Sequence, residues 1–281
     1  MSFVLRRMQP EDFPAGYRLT QMMHWPHRPE DWQQALSLGE GVVAVVQQQI
    51  VGCALVWRWG EQRSTLGLVI VDPALQGAGM GKAMIGALLE QVSGTSVRLH
   101  ATEAGQGLYQ KFGFTAHGTV HQHQCARLPV FAPPVLGERE QIRRLQADEL
   151  AQIIEFDQQA HGLYRPTLYQ QLLTTEGLWV LEQQGQIEGF VCLRKFGHGY
   201  QAGPLIARNE RVARQLFSHC AASLEGEFLR IDTYGDSLFS EWLTACGLAI
   251  VDTPLLMIRG VPPEKTHGGM LDFGFMTQAM G

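Results

Sequence analysis

The chain has few cysteines, and they lack the spacing that a metal site or a disulfide framework needs. There are five in 281 residues, an odd number, and no two form a Cys-x-x-Cys pair. Paired spacings are typical of zinc sites and of small disulfide-bonded domains. We therefore expect reduced thiols, no metal and a cytoplasmic protein. The five are Cys53, Cys125, Cys192, Cys220 and Cys246.

Long apolar runs and an excess of basic residues are also missing. No run approaches the roughly 20 apolar residues of a membrane-spanning helix, and residues 1–8 contain no signal-peptide core. The net charge of −5 and the pI of about 6.1 argue against a nucleic-acid partner. A hydrophobic content of 45% with 17% charged residues is typical of a globular protein. The length suits two domains of roughly 130 residues.

A short glycine-rich loop stands between an apolar strand pattern and an apolar helix pattern. The apolar run 66–71 leads through Asp72-Pro73 to Gln76-Gly77-Ala78-Gly79-Met80-Gly81-Lys82. Such a loop aims free backbone N–H groups and the positive end of a helix dipole at one point, which suits a phosphate or pyrophosphate. The sequence therefore indicates an anionic cofactor at this loop.

Two common phosphate loops do not fit these residues. A Walker A loop needs a hydroxyl residue after Gly-Lys, but Ala83 stands there, and Gln76 takes the place of the first glycine. A dinucleotide fingerprint needs a third glycine where Lys82 stands. The pattern Gln/Arg-x-x-Gly-x-Gly/Ala remains, and Gln76, Gly79 and Gly81 fill it.

This loop, together with a second motif downstream, resembles the Gcn5-related N-acetyltransferases (GNAT superfamily). The second motif is Tyr109 followed by Gly113-Phe114, after a predicted strand over 97–101. The resemblance covers residues 3–125. It implies an N-acetyltransferase that uses acetyl-coenzyme A and transfers the acetyl group directly to the amine of a small molecule or peptide. The alternative is a non-catalytic acyl-coenzyme A sensor or scaffold.

The resemblance also implies roles for individual residues. Tyr109 would protonate the departing thiolate, and Thr102 would contact the pantetheine arm where many relatives have an asparagine. The pantetheine arm would lie along the backbone of Val69, Ile70 and Val71. The pyrophosphate would be held by the amides of Gln76, Gly77, Ala78, Gly79, Met80, Gly81 and Lys82. Two other interpretations stay open: the loop as a plain strand-to-helix turn, and Tyr109 as an ordinary core aromatic.

The general base and the acceptor contacts are less well defined. Many relatives have a glutamate at the head of the loop-bearing strand, where this chain has residues 65–67, Thr-Leu-Gly. A water chain, His24 or His100 could act as the base instead. Because the loop after the first helix forms part of the acceptor site in the family, His24, Trp25 and Trp32 are candidate acceptor contacts.

The second half repeats the first faintly. The Ile-x-Gly step at Ile50 recurs at Ile187, and the Gly-Phe step at Gly113 has an echo at Gly247. Predicted helices (148–160, 166–174, 209–225, 236–245) and strands (177–183, 187–195, 228–233, 255–259) follow the order of the first half. We therefore predict an α/β (α+β) protein of two tandem GNAT folds, each a mixed, mostly antiparallel sheet flanked by helices. The predicted domains are 1–130 and 139–260, with a linker over 131–138 and a tail over 261–281 that packs as a short strand.

The second copy lacks the chemistry of the first. Residues 203–209, taken as the equivalent of the phosphate loop, contain one glycine, and Leu243 stands at the tyrosine position. This resembles a bacterial subgroup with a degenerate C-terminal domain, and places the acceptor between the domains. Asp232 is a candidate to hold an ammonium group, with Tyr234 and Glu155 as weaker ones; a strand-end or capping aspartate is the alternative. A homodimer is left open.

Overall fold

The computed structural model describes residues 2–175, 177–263 and 269–281. In the first half the elements are β1 (Val4–Arg7), α1 (Phe13–Met22), α2 (Pro29–Leu38), β2 (Glu40–Val46), β3 (Gln49–Trp59), β4 (Arg63–Val71), α3 (Met80–Gln91), β5 (Ser96–Ala101), α4 (Glu103–Gln110) and β6 (Thr115–Cys125). In the second half they are β7 (Glu140–Arg144), α5 (Leu150–His161), α6 (Pro166–Thr175), β8 (Gly177–Gln183), β9 (Gln186–Phe196), β10 (Gly199–Ala207), α7 (Glu210–Ala221), β11 (Leu229–Tyr234), α8 (Leu238–Ala245), β12 (Ala249–Asp252), β13 (Leu255–Arg259) and β14 (Leu271–Gly274).

Local sequence explains where several helices begin. Pro29 opens α2, where its missing N–H costs nothing. Asn209 caps α7 by accepting a hydrogen bond from the Val212 amide at 3.1 Å, and Ser237 caps α8 through the Ser240 amide at 3.1 Å. Residues 126–139 join the two halves without a helix or strand.

The described strands form one 14-stranded sheet. Its main path runs β1-β2-β3-β4-β5-β13-β6-β11-β10-β9-β8-β7, while β12 pairs with β6 and β14 with β10. Only the β4–β5 and β10–β11 pairs are parallel in the part of the chain that the structure describes. Helices α3 and α7 pack on apolar faces of the first and second halves, which confirms the predicted mixed, mostly antiparallel sheet flanked by helices.

Strand β13 links the two halves by lying inside the sheet of the first. It pairs antiparallel with β5 on one side, where Leu255 opposes Ala101, and with β6 on the other, where Leu255 opposes Thr119. Strand β6 then pairs with β11 of the second half. Each half of the sequence therefore completes the sheet of the other.

The repeat is visible in backbone geometry. The Phe114 amide bonds the Tyr109 carbonyl at 3.2 Å, and the Leu248 amide bonds the Leu243 carbonyl at 3.1 Å. Leu243 therefore occupies the position of Tyr109 in the second copy. One prediction is wrong: residues 203–207 lie in strand β10 and form no loop.

The last residues cross from the second half to the first. Strand β14 pairs antiparallel with β10, and the Phe275 amide bonds the Asp232 carbonyl of β11 at 2.9 Å. Residues 277–279 then continue to a cavity beside β4.

Candidate functional site

Strands β4 and β5 diverge in the first half. Their parallel register ends at Thr65 opposite Arg98, after which β5 continues to pair with β13. Leu68 has a φ of +52°, and the register between β3 and β4 shifts at this point. A β-bulge bends the strand and redirects it. Among the described residues, the β5 side of the segment 69–71 therefore has no strand partner.

The glycine loop after β4 is open. Gly77 and Gly79 have φ values of +85° and +82°, and a Cβ added at either would meet nothing within 4 Å. Gly79 directly precedes α3, whose first N–H groups lack helical partners. The Asp72 side chain accepts from the Ala74 amide at 3.0 Å and the Gln76 amide group donates to the Val71 carbonyl at 3.3 Å, so both hold the loop in place. The geometry fits a pyrophosphate.

Tyr109 lies on α4 with its ring buried at 9% exposure. Phe114 packs edge-on against it at 5.9 Å between ring centroids. Burial raises the pKa of Tyr109 to about 12, so its hydroxyl is protonated at neutral pH. In the part of the chain that the structure describes, this hydroxyl has no hydrogen-bond partner and is available as a donor.

A cavity of about 260 Å³ lies where β4 and β5 diverge, between the two halves. From the first half its walls include four predicted residues, His24, Trp25, His100 and Thr102. The walls from the second half include Phe196, Arg230 and residues 277–279. Trp32 is fully buried, donates to the Thr20 hydroxyl at 3.2 Å and is a core residue, so its predicted acceptor contact is wrong.

Asp232 is fully buried behind the cavity wall. Its carboxylate accepts from Arg230 Nε and Nη2, from Gln201 Nε2 at 3.1 Å and from Gln278 Nε2 at 3.1 Å. These donors occupy both oxygens, and Arg230 is the member of the pair that lines the cavity. Of the two weaker candidates, Glu155 is exposed on α5 and Tyr234 lines a different cavity, of about 520 Å³.

The histidines at the cavity differ in their surroundings. His100 Nδ1 lies 2.6 Å from the Gln278 carbonyl, which can only accept, so Nδ1 carries the proton. Burial, with Arg98 nearby, lowers the pKa of His100 to about 3. Burial also lowers the pKa of His27 to about 4, with smaller contributions from Arg230 and Arg194. His24 is exposed at the wall in a left-handed conformation, with φ of +56°.

The sequence did not single out Arg230, Phe196, His27 or residues 277–279 as site residues. They come from segments that are far apart in the sequence, and the fold brings them to one cavity. Within residues 2–175, 177–263 and 269–281, no cluster of His, Cys, Asp or Glu could hold a metal ion. Among these same residues there is no helix with both the length and the hydropathy to cross a membrane.

Comparisons with known proteins agree with this architecture. Models described as acetyltransferase (GNAT) domain match residues 38–116 and 153–271. The chain is 32% identical over 240 residues to the uncharacterized N-acetyltransferase YitH of Bacillus subtilis, covering 84% of this chain and 83% of that protein. It is 24% identical over 223 residues to holothin acyltransferase of a Pseudoalteromonas species, covering 78% and 74%.

A proposed acetyltransferase of Pyrococcus horikoshii shares the fold, with a TM-score of 0.81 and 21% identity over 99% of this chain and 96% of that one. Two successive copies of this fold, the first with an open glycine loop at diverging strands, define a tandem acetyltransferase. The chain belongs to the GNAT family, as the resemblance predicted, and is an N-acetyltransferase.

Proposed function

We propose that this protein transfers an acetyl group from acetyl-coenzyme A directly to the amine of a small molecule, and that it binds the cofactor in the first half only. The observation that carries this proposal is the divergence of β4 and β5, which leads straight into the open loop at Gly77 and Gly79.

The residues at the divergence fit the cofactor. Unpaired backbone groups over 69–71 suit the amides of a pantetheine arm, and the amides over 76–82 suit the pyrophosphate. Thr102, at the end of β5, would contact the arm. When bound, acetyl-coenzyme A supplies the acetyl group as a thioester that an amine can attack.

The corresponding divergence of the second half is occupied by other residues of the chain in the part that the structure describes. Strands β10 and β11 also diverge, after Gln201 and Arg230, but β14 pairs with β10 there. An added Cβ at Gly203 would collide with the Phe275 carbonyl oxygen. The chain itself therefore fills the place that a pantetheine arm would need.

Two side chains are proposed as the proton donor and the proton acceptor of the reaction. Tyr109 keeps its hydroxyl protonated and is the donor for the leaving sulfur. His24 is exposed at the cavity wall and is the proposed acceptor of the amine proton, directly or through water. His100, with a pKa of about 3, is too weak a base at neutral pH: its Nδ1 donates to the Gln278 carbonyl, and its Nε2 can serve only as a hydrogen-bond acceptor.

An acyl-enzyme is not part of the proposal. Cys53 is buried beside the bulge, its thiol lies 3.6 Å from the Leu68 carbonyl, and burial raises its pKa to about 12. A thiol in that state is a poor nucleophile. No cysteine is among the described residues that line the cavity.

The size of the cavity supports a small acceptor. Residues 277–279 close one side of it, and its volume of about 260 Å³ is below the roughly 300–1,000 Å³ of pockets for drug-sized ligands.

The test is thiol release from acetyl-coenzyme A in the presence of amines, amino acids and peptides, with mass spectrometry of the products. Amine-dependent release with an acetylated amine supports the proposal. If calorimetry shows cofactor binding but no amine gives release, the non-catalytic sensor is the better description. A peptide preference would refute the small-molecule acceptor.

A further inference from the structure

Arg230 presents one guanidinium nitrogen to the cavity and uses the others to stay in place. Strand β11 puts Arg230 and Asp232 on the same face, two residues apart. Arg230 Nε lies 3.2 and 3.0 Å from the two Asp232 oxygens, and Nη2 lies 3.0 Å from Oδ1. Nη1 has no hydrogen-bond partner within the described ranges, although Arg230 is only 7% exposed and lines the cavity.

The guanidinium is held rigidly. Asp232 is itself fixed by Gln201 and Gln278, and Gln278 also donates to Gln122 Oε1 at 3.2 Å. The Phe196 ring lies 5.6 Å from the Arg230 guanidinium carbon and packs on one side of it. A pre-oriented cationic donor loses little entropy on binding an anion.

Arg230 is the buried residue with a full charge among the described residues that line the cavity. Gln122, Thr277 and Gln278 are neutral polar residues, and Phe196 and Trp25 are aromatic. Asp252, the other charged lining residue, is exposed on β12. A ligand with one negative charge would accept a charge-assisted hydrogen bond from Nη1.

The cavity is lined by two chemically distinct sets of residues. Leu68, His100 and Thr102 lie at the diverging strands, where acetyl transfer is proposed, while Arg230 and Phe196 come from the second half. A small ligand can therefore present an amine to the diverging strands and an anionic group to Arg230. A single free guanidinium nitrogen among neutral amides matches a singly charged carboxylate better than a phosphate dianion.

We propose that Arg230 binds a carboxylate of the acceptor, so that the acceptor is an amine that carries a carboxylate, such as a free amino acid. This inference rests on the proposed acetyl transfer.

The experiment compares amino acids with their own primary amides as acceptors, by thiol release from acetyl-coenzyme A. We expect kcat/KM for the acid to exceed that for the amide by about tenfold or more, since hydrogen bonds to charged groups are stronger than neutral ones. In the double variant Arg230→Gln, Asp232→Asn, which removes both charges together, the preference should disappear. Cofactor affinity by calorimetry should stay within about threefold of the parent.

The control is Arg208→Gln, which breaks an exposed pair with Glu188 outside the cavity and should leave the preference intact. Equal rates for acids and amides in the unmodified protein would overturn the inference while leaving acetyl transfer standing, and that comparison does not depend on how the variant folds. Retained preference in a folded double variant would also overturn it. The absence of release with every amine would instead refute the proposed function.

Discussion

Ala279 packs directly on Gly67 of β4: a Cβ added to Gly67 would lie 2.7 Å from the Cβ of Ala279. The segment that fills the strand divergence of the second half therefore ends against the strand that diverges in the first. Glycine at position 67 is what allows this approach. Gly67 and Ala279 both belong to the wall of the proposed acceptor cavity.

Gly67→Ala should accordingly displace the segment. Overpacking of this kind costs typically about 1–3 kcal/mol, so we expect a lower denaturant midpoint and a raised KM for the acceptor. Gly107→Ala is the matched control, because Gly107 lies in α4 with nothing within 4 Å of an added Cβ. It should leave KM unchanged and stabilise slightly, by up to about 1 kcal/mol. Equal stability of the Gly67 variant and the parent would contradict the close contact.

Gly79→Glu should abolish cofactor binding, because it puts a carboxylate where the pyrophosphate is expected. Gly94→Glu is a strict control: Gly94 also has a positive φ, +88°, with open space around it, but lies in the turn before β5. Both changes carry the same backbone strain and charge. Calorimetry should show that the cofactor affinity falls by at least about 100-fold in the Gly79 variant and changes little in the Gly94 variant.

The unmodified protein should bind one cofactor per chain. A stoichiometry of two would contradict the filled second divergence.

Tyr109→Phe should lower kcat by about 100-fold, the lower end for a lost general acid, with cofactor affinity nearly unchanged. The fold should tolerate the change, because the hydroxyl has no partner among the described residues. Tyr164→Phe, at a tyrosine with 47% exposure, serves as the control for the chemical change. Unchanged turnover would remove Tyr109 from the mechanism and leave it as a core aromatic.

The pH dependence of stability should report the buried histidines. The pKa of His100 is about 3 in the folded protein against 6.5 in the unfolded chain. Between these values the unfolded chain binds more protons, so stability falls as the pH drops below about 6.5. Protonation linked to His100 should lower the free energy of unfolding by up to about 2 kcal/mol as the pH falls from 7 to 5.

His100→Asn isolates this effect, since an asparagine amide can still donate to the Gln278 carbonyl. Its free energy of unfolding should vary less with pH than that of the parent. Other groups also change the free energy of unfolding with pH, but they act in both proteins and cancel in the comparison. His27, with a lowered pKa, destabilises the fold as the pH falls, whereas Asp272, whose pKa burial raises to about 7, stabilises it. Identical pH profiles would show that His100 is not held neutral.

Local sequence patterns predicted much of the fold. The loop at Gly79 and the step at Gly113-Phe114 lie within single strand–helix units, so the residues that make them are close in sequence. Most helices and strands of the second half were placed for the same reason. Residues 203–207 were misassigned because the order of elements in the repeat put them at the equivalent of the phosphate loop, whereas strand pairing on both sides holds them in β10.

The acceptor side of the site was less predictable. Asp232 was identified as a charged strand residue, but besides Arg230 on the same strand it pairs with Gln201 and Gln278, which come from two other segments. Sequence alone cannot say which member of a buried ion pair faces a cavity. The contact of Ala279 with Gly67 joins residues from opposite ends of the chain and leaves no local signal.

The position of β13 has a consequence for how the protein is made. Residues 255–259 fill the gap between β5 and β6, so a ribosome must translate most of the chain before the first half can close. Until then β5 and β6 expose open edges. A neighbouring nascent or refolding molecule offers the same strand to the same gap. Crowded synthesis should therefore produce intertwined dimers by exchange, and dilution should yield the single-chain form.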